Sequence, residues 1–400
     1  MIEFHSASTR MVHSKRAVTE CLEAALGATD PRCDLVIIHA SLGHNYQDLV
    51  DQTRALVPSA RVVGASCCGI VGSEGVSESM KDVALMTVRG PGQIAVAHVD
   101  GIHGHNAYEK SVELAEALRR ANPAVNMVYF LASGIDIAND RCIAGLESVL
   151  GRDVTIFGAT SSDNMRGVVS YQMVDDRVYE HAAYAVGFAD PTLEVDTQAT
   201  HGFVAEGEPL VVTAADGHRI LQLNGRPAWS EYTSRLGLPP SATPGDTIPI
   251  GALAERLPEP LAREYGNEHI LRVVTKREEN GAMHYATVCP VGTPLWLTVR
   301  DEGRIFADMD RMMGQFESRS RGRKPVAVFH ADCLARGRYL FNRVMKEELV
   351  GRMQYPLSTA GVPPPWLGMY GFGEFARLGG ANTYHNYTTA LYALYRRTDA

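Results

Sequence analysis

The chain has 400 residues, 45% of them hydrophobic, and a formal net charge of −8, a balance that excludes a chain-wide basic surface for nucleic acid or an anionic membrane. Met1 to Arg16 lacks the apolar core of a signal peptide and no apolar run approaches the roughly 20 residues of a membrane span, so a soluble, cytoplasmic protein is expected, too long for one ordinary core. Seven scattered cysteines and the absence of zinc-ligand spacing argue against a disulfide framework or a zinc site, although the adjacent Cys67 and Cys68 stand out.

In chain order, a first β-α-β unit runs from Val36-Ile37-Ile38-His39-Ala40-Ser41 to Val62-Val63-Gly64-Ala65-Ser66. Its helix shows in Tyr46, Leu49, Val50, Thr53, Leu56 and Val57, recurring at steps of three and four and stopped by Pro58. Lys81 to Val88 and Gln93 to Val99 read as two strands. A second copy runs from Met127 through Ala132-Ser133 to Phe157-Gly158-Ala159-Thr160, with Ile143, Leu146, Val149 and Leu150 as its helix and Ala182 to Phe188 and Leu193 to Thr197 as its two following strands. The units, about 34–100 and 126–200, predict a duplicated N-terminal domain, 1–210, and a second domain, 211–400.

In the second domain Val211 to Thr213 and Arg219 to Leu223 read as a hairpin, and a helix follows Pro227 with Trp229, Tyr232 and Leu236 on one face. Pro239 to Pro260 is non-periodic and reads as a lid, a linker or an exposed loop. After strands at Ile270 to Thr275, Tyr285 to Val288 and Leu295 to Val299, and a basic stretch at Arg319, Arg321, Arg323 and Lys324 read as a solvated loop, comes a looser third copy. It pairs Val326 to Asp332 with Trp366 to Tyr370 through a helix carrying Leu340, Phe341, Val344 and Met345, and Thr388 to Tyr395 reads as a last helical stretch. The fold class is therefore α/β: repeated β-α-β units in mixed sheets with added hairpins, in two domains. Parallel crossovers bring the strand ends of each copy to one side, where ligands of such sheets collect.

Val211 to Ala228, with Asp216-Gly217 and Asn224-Gly225-Arg226-Pro227, resembles the opening of the C-terminal FIST domain. So do Cys333-Leu334-Ala335-Arg336, Gly368 to Phe375 around Gly373-Glu374, and His385-Asn386-Tyr387-Thr388. Val63 to Ser66 and Phe157 to Thr160 are similar to the N-terminal FIST domain, and the matches occur in order over nearly the whole chain. Where the family often has Gly-Glu after its first Gly-x-Ser, this chain reads Cys67-Cys68-Gly69-Ile70, which implies a different ligand if that acid touches one. The resemblance implies a cytoplasmic sensor of bacterial signal transduction that binds a small molecule such as an amino acid and acts through a separate partner, for instance a histidine kinase, since the chain has no output module of its own. It also implies an alternative, a haem protein sensing nitric oxide.

Ser41, Ser66, Cys67, Ser133, Thr160 and Ser161 sit at or just past strand ends, where they either hold a carboxylate or phosphate or cap the next helices. Cys333 and Arg336 follow the first strand of copy three, and Tyr370, Gly373 and Glu374 lie around the end of its second. Arg336 and Glu374 suit the two ends of an amino acid, or form a structural ion pair. His385 and Asn386 either face that pocket or open the last element. His39 and His330, read as the same slot of copies one and three, are the haem-ligand candidates, and His330, Cys333 and Glu374 are the trio an enzyme would use, though no nucleophile elbow, phosphate loop or metal signature accompanies them.

Overall fold

The computed structural model describes residues 1–27, 32–164, 166–337 and 343–397. Copies one and two are each followed by a short β-hairpin and preceded by a strand and a helix: Glu3–Thr9 with Ser14–Leu26, neither of which was read from the sequence, and Ile94–Asp100, which was read as a closing strand of copy one, with Ala107–Ala121, which was not read. Copy three repeats the same order, with Leu193–Thr200 as its leading strand and Glu302–Ser320 as its leading helix, so the duplication is a triplication. Leu340 and Phe341, assigned to the helix of copy three, lie outside the described residues, and that helix is described from Arg343 to Leu357.

Each copy builds one six-stranded mixed sheet. The first has the order Glu3–Thr9, Val83–Arg89, Leu35–Ser41, Arg61–Cys67, Gln172–Val174, Arg177–Tyr179. The last two strands come from copy two: Gln172 pairs with Ala65. In the same way the hairpin of copy three (Glu374–Leu378, Ala381–His385) extends the sheet of copy two, pairing Glu374 with Ala159. The hairpin of copy one (Ile70–Gly72, Gly75–Ser77) extends the sheet of copy three, pairing Ile70 with Met369. This cyclic exchange ties the three sheets into a pseudo-threefold prism. It also separates strands adjacent in sequence: Val83–Arg89 and Ile94–Asp100 belong to different sheets, as do Ala182–Phe188 and Leu193–Thr200.

One face of every sheet meets in the middle. Ile37, Tyr129 and Phe329 fill equivalent positions of the three central strands, and the rings of Tyr129 and Phe329 lie 4.9 Å apart. Opposite faces bury Val36 and Ile38, Val128 and Phe130, and Val328 under the helices. Strands buried on both faces lose polar alternation, which is why Thr389–Arg396, the last strand, read as a helix: Ala390, Tyr392 and Leu394 face the centre and Leu391, Ala393 and Tyr395 the outer helices. Full burial of each such large side chain contributes about 1.5–3 kcal/mol. Gly158 shows why a glycine stands in the second strand: its φ is 141° and a Cβ there would sit 2.0 Å from the Phe130 carbonyl of the neighbouring parallel strand.

Between Leu193–Thr200 and Glu302–Ser320 lies an insert with its own eight-stranded sheet and a core that includes Trp229, Tyr232, Leu253, Met283 and Leu295. The expected hairpin is there, within Phe203–Asp216 and Arg219–Leu223. The non-periodic stretch from Pro239 to Pro260 is not a loop throughout: it contains Gly251–Arg256, an interior strand between His269–Arg272 and Pro294–Arg300. The basic stretch is largely paired rather than free. Arg319 meets Asp196 and Glu264, Arg323 meets Glu194, and Lys324 donates to the Pro356 carbonyl.

Candidate ligand site

The strand ends of the three copies lock together around the pseudo-threefold axis. Ser162 N–H donates to the Ser66 carbonyl (3.0 Å), Cys68 N–H to that of Tyr370 (3.1 Å) and Phe372 N–H to that of Thr160 (3.4 Å), a closed cycle of equivalent backbone bonds. The Ser66 hydroxyl serves the same clasp, whereas those of Ser161 and Ser133 bond within copy two. Ser66 Oγ donates to the Ser162 carbonyl and accepts from Tyr171 N–H. Ser161 Oγ donates to Ser170 and accepts from Gln172, while Ser133 Oγ reaches the carbonyls of Ile135 and Glu180. Capping falls elsewhere: Asn45 caps the helix of copy one, and the helix of copy two has no side-chain cap. Cys67 is buried and its thiol is pushed well above the usual range by desolvation. Thr160 is buried with its hydroxyl unpartnered.

The three exchanged hairpins place Ile70, Gln172 and Glu374 at one equivalent slot, each paired to the second strand of the sheet it joins. Gln172 is satisfied: its amide donates to Ser161 and accepts from Ala182 N–H. Ile70 needs nothing. Glu374 is fully buried on the face it shares with Ala376 and Leu378, and neither carboxyl oxygen meets hydrogen-bond geometry with any described group. Burial raises its pKa well above the ordinary carboxyl range. The nearby Asp332 adds to the rise, while Arg336 and the Thr388 backbone N–H oppose it less strongly.

Arg336 does not form the ion pair anticipated with Glu374. Its Nε donates to Asp332 Oδ1 (2.9 Å), its Nη1 to the His201 carbonyl (3.0 Å), and its Nη2, though the side chain is buried, finds no partner among the described residues. Asp332 was missed in the sequence. Strand register shows why: Leu35, Met127 and Ala327 are equivalent, so Asp332 occupies the slot of Ala40 and Ala132, and Cys333 that of Ser41 and Ser133. An acidic residue type in a slot that is otherwise alanine was the available signal.

Around this pair stand the other expected residues. The Cys333 thiol is buried, and desolvation together with Glu374 pushes its pKa well up, which disfavours the thiolate. Tyr370 is buried within electrostatic reach of Asp332 and Arg336. Gly373 accepts from Thr160 N–H through its carbonyl. His385 bonds Thr383 through Nε2 (2.7 Å) and leaves Nδ1 unpartnered. Asn386 is committed to structure, donating to the Phe372 carbonyl and to Tyr384 and accepting from Val273 N–H. Tyr265, His201 and Thr388 complete the cluster without having been foreseen: the Tyr265 hydroxyl bonds Thr388 Oγ1 (2.9 Å), and its ring lies 5.3 Å from His201 and 5.2 Å from His385.

The two haem-ligand candidates are not equivalent. His39 shares its slot with Leu131 and Ala331, faces the central core and bonds the Tyr129 hydroxyl through Nε2 (2.9 Å). His330 lies on the opposite face of its strand, with Nε2 on Thr389 Oγ1 (2.9 Å). Both are buried against packed side chains, so neither offers an open axial position to a porphyrin. Among the described residues no group of three or more His, Cys, Asp or Glu is placed to hold a metal ion, and no helix is long and apolar enough to cross a membrane.

Comparison with known proteins places these features in a family. The chain is 24% identical over 372 residues to an uncharacterized protein of Mycobacterium tuberculosis, covering 89% of this chain and 90% of that one. It is 26% identical over 194 residues to an uncharacterized protein of Mycobacterium bovis, 46% of each chain. Among solved structures it is similar to a cyanuric acid hydrolase from A. caulinodans (TM-score 0.36, 8% identity, 100% of both chains) and to a chorismatase (TM-score 0.34, 8% identity, 99% of both), levels at which the likeness carries no argument about this chain. The FIST N domain matches residues 34–226 and the FIST C domain residues 228–377. With both of its domains present in order, the chain belongs to the FIST family, whose domains are associated with sensors of signal transduction.

Proposed function

We propose that this protein is a sensor that binds a small carboxylate-bearing metabolite, an amino acid in the first instance, at the Asp332–Arg336–Glu374 cluster, and passes the signal to a separate protein such as a histidine kinase in the cytoplasm. One observation carries the reading: Arg336 Nη2 and both carboxyl oxygens of Glu374 are buried polar atoms that meet hydrogen-bond geometry with none of the described groups, in a single cluster. Buried groups of this kind are costly and are nearly always satisfied, so a pair of opposite chemical character points to a ligand that satisfies both. Arg336 takes the carboxylate, and Glu374 takes the ammonium. The raised thiol pKa of buried Cys333, and a His330 ring turned to Thr389 and Asp332 (3.6 Å) on the strand face opposite Cys333, speak for binding rather than turnover.

The chemistry makes a specific demand. Burial raises the pKa of Glu374 well above the ordinary carboxyl range, so an ammonium seated beside it favours release of the carboxyl proton. Thermal-shift screening of amino acids and small carboxylic acids should yield a stabilising ligand by mass action. Calorimetry in buffers of different ionisation enthalpy should then show about one proton released per ligand bound. Glu374→Gln should abolish the proton release and Arg336→Lys should weaken affinity. A ligand whose affinity is unchanged in both variants refutes this site, and a panel that gives no stabilisation at all refutes the sensor reading.

A further inference from the structure

Glu374 and His385 stand directly opposite each other in the exchanged hairpin, Glu374–Leu378 against Ala381–His385. Opposite residues of an antiparallel pair share a face, with Cβ atoms about 4.5–5.5 Å apart, so the sheet sets the imidazole beside the carboxyl. Both side chains are buried. The hydrogen bonds around His385 fix which ring nitrogen carries the proton. The Thr383 hydroxyl donates its one hydrogen to the Ala376 carbonyl (2.9 Å), a group that can only accept. Its oxygen is therefore the acceptor in the 2.7 Å contact with His385 Nε2, and Nε2 carries the N–H. Burial, reinforced by Arg272 and His201, holds the pKa of the ring well below the usual histidine value, so the second nitrogen stays bare. Nδ1 is thus a buried acceptor that meets hydrogen-bond geometry with none of the described groups. Its direction is set by the tie of Nε2 to Thr383 and by the Tyr265 ring 5.2 Å away.

We infer that His385 Nδ1 is a second acceptor for the ligand's ammonium, beside Glu374, and that the pair selects ligands whose nitrogen carries at least two N–H groups. This rests on the reading that the cluster takes an amino acid. A lone carboxylate attracts any cation, a quaternary one included, because Coulomb attraction does not depend on hydrogens. Two neighbouring acceptors do depend on them. A nitrogen with two or more N–H groups satisfies both, one with a single N–H leaves a buried acceptor unpaired, and a quaternary nitrogen leaves both unpaired. Thr383 is the positioning residue of this arrangement. By keeping the ring proton on Nε2 it keeps Nδ1 an acceptor, where the other tautomer would turn an N–H toward the ammonium.

Nuclear magnetic resonance of the intact chain labelled with nitrogen-15 histidine reads both nitrogens. The His385 signals are identified by their loss in His385→Phe, or in His385→Gln should the first variant not fold. Without any ligand, Nε2 should carry the proton and Nδ1 should resonate as a bare ring nitrogen; a protonated Nδ1 overturns the inference. Methylammonium and tetramethylammonium chloride then serve as probes of equal charge that differ in N–H groups. Methylammonium should shift Nδ1 with an affinity at least about tenfold above that of tetramethylammonium, the effect of one hydrogen bond to a charged group. Equal affinities, or an Nδ1 that neither probe moves, overturn the inference. In Thr383→Val, which keeps the shape and removes the hydroxyl, Nδ1 should gain proton occupancy and the discrimination should fall to about threefold or less; a discrimination that stays intact removes the role given to Thr383. A ligand that releases the Glu374 proton while Nδ1 stays unmoved refutes this inference and leaves the sensor reading standing. The tautomer is read without a ligand, so the two failures are seen in different experiments.

Discussion

His39 gives the prediction whose size is best fixed. Its ring lies in the central core among three sheets, and burial lowers its pKa from 6.5 to about 4, the Gly368 backbone opposing weakly. The folded protein therefore keeps the imidazole neutral where the unfolded chain protonates it. Stability from this residue is complete above pH 6.5 and is lost as pH falls toward 4. At 1.36 kcal/mol for each tenfold change in proton affinity, the loss is about 2.5 kcal/mol at pH 4.5 and about 3 kcal/mol once both states are protonated. Copy two carries Leu131 in this slot, so His39→Leu is sterically admissible. At pH 7 the variant should be less stable by about 1 kcal/mol, the usual net value of the lost bond to Tyr129. At pH 4.5 the order should reverse, with the variant ahead by about 1.5 kcal/mol. Urea unfolding at the two pH values measures both differences, and a difference that keeps its sign and size across that range refutes the claim that His39 is buried neutral.

Other perturbations follow from the same geometry. Glu374→Gln should raise the melting temperature at pH 7 to 8 and have no effect below about pH 4.5, the ordinary value for Glu, because a carboxyl held neutral contributes stability at acid pH and loses it as pH rises; a melting temperature unchanged at pH 8 contradicts the burial of an unpartnered acid. Asp332→Ala leaves the Arg336 guanidinium buried and unpaired and should cost about 3–5 kcal/mol in denaturant unfolding; a loss under 1 kcal/mol would show that Arg336 finds another anion. Gly158→Ala combines a φ of 141° with a Cβ 2.0 Å from the Phe130 carbonyl and should prevent recovery of folded protein, as read by the near-ultraviolet circular dichroism of the aromatic core. Gly266→Ala, at φ 69° and with a Cβ 1.9 Å from the Arg311 guanidinium, should cost about 2 kcal/mol in denaturant unfolding, and an unchanged midpoint would show that the turn after Tyr265 relaxes without strain.

Periodicity alone found the β-α-β units, because Tyr46, Leu49, Val50 and Thr53 bury one stripe of an otherwise exposed helix while the strands beside them are apolar throughout. The same apolar continuity hid the last strand, since a segment covered on both faces shows neither period cleanly. The ordered FIST motifs were legible, and with them Arg336, Glu374 and Cys333. Pairing was not. That Gln172, Ile70 and Glu374 leave their own copies to extend the neighbouring sheets depends on contacts hundreds of residues apart, and the strand residues themselves suit either partner. Register was equally out of reach: a slip of one residue made His39 and His330 look alike and put Asp332 in a serine slot, although a one-residue slip turns every side chain to the opposite face. The sequence determined which residues are polar and where the strands end. Tertiary structure decided that Ser66 clasps Ser162, that Arg336 answers Asp332, and that Glu374 stands buried with no hydrogen bond from the described residues, because each depends on how the three copies meet.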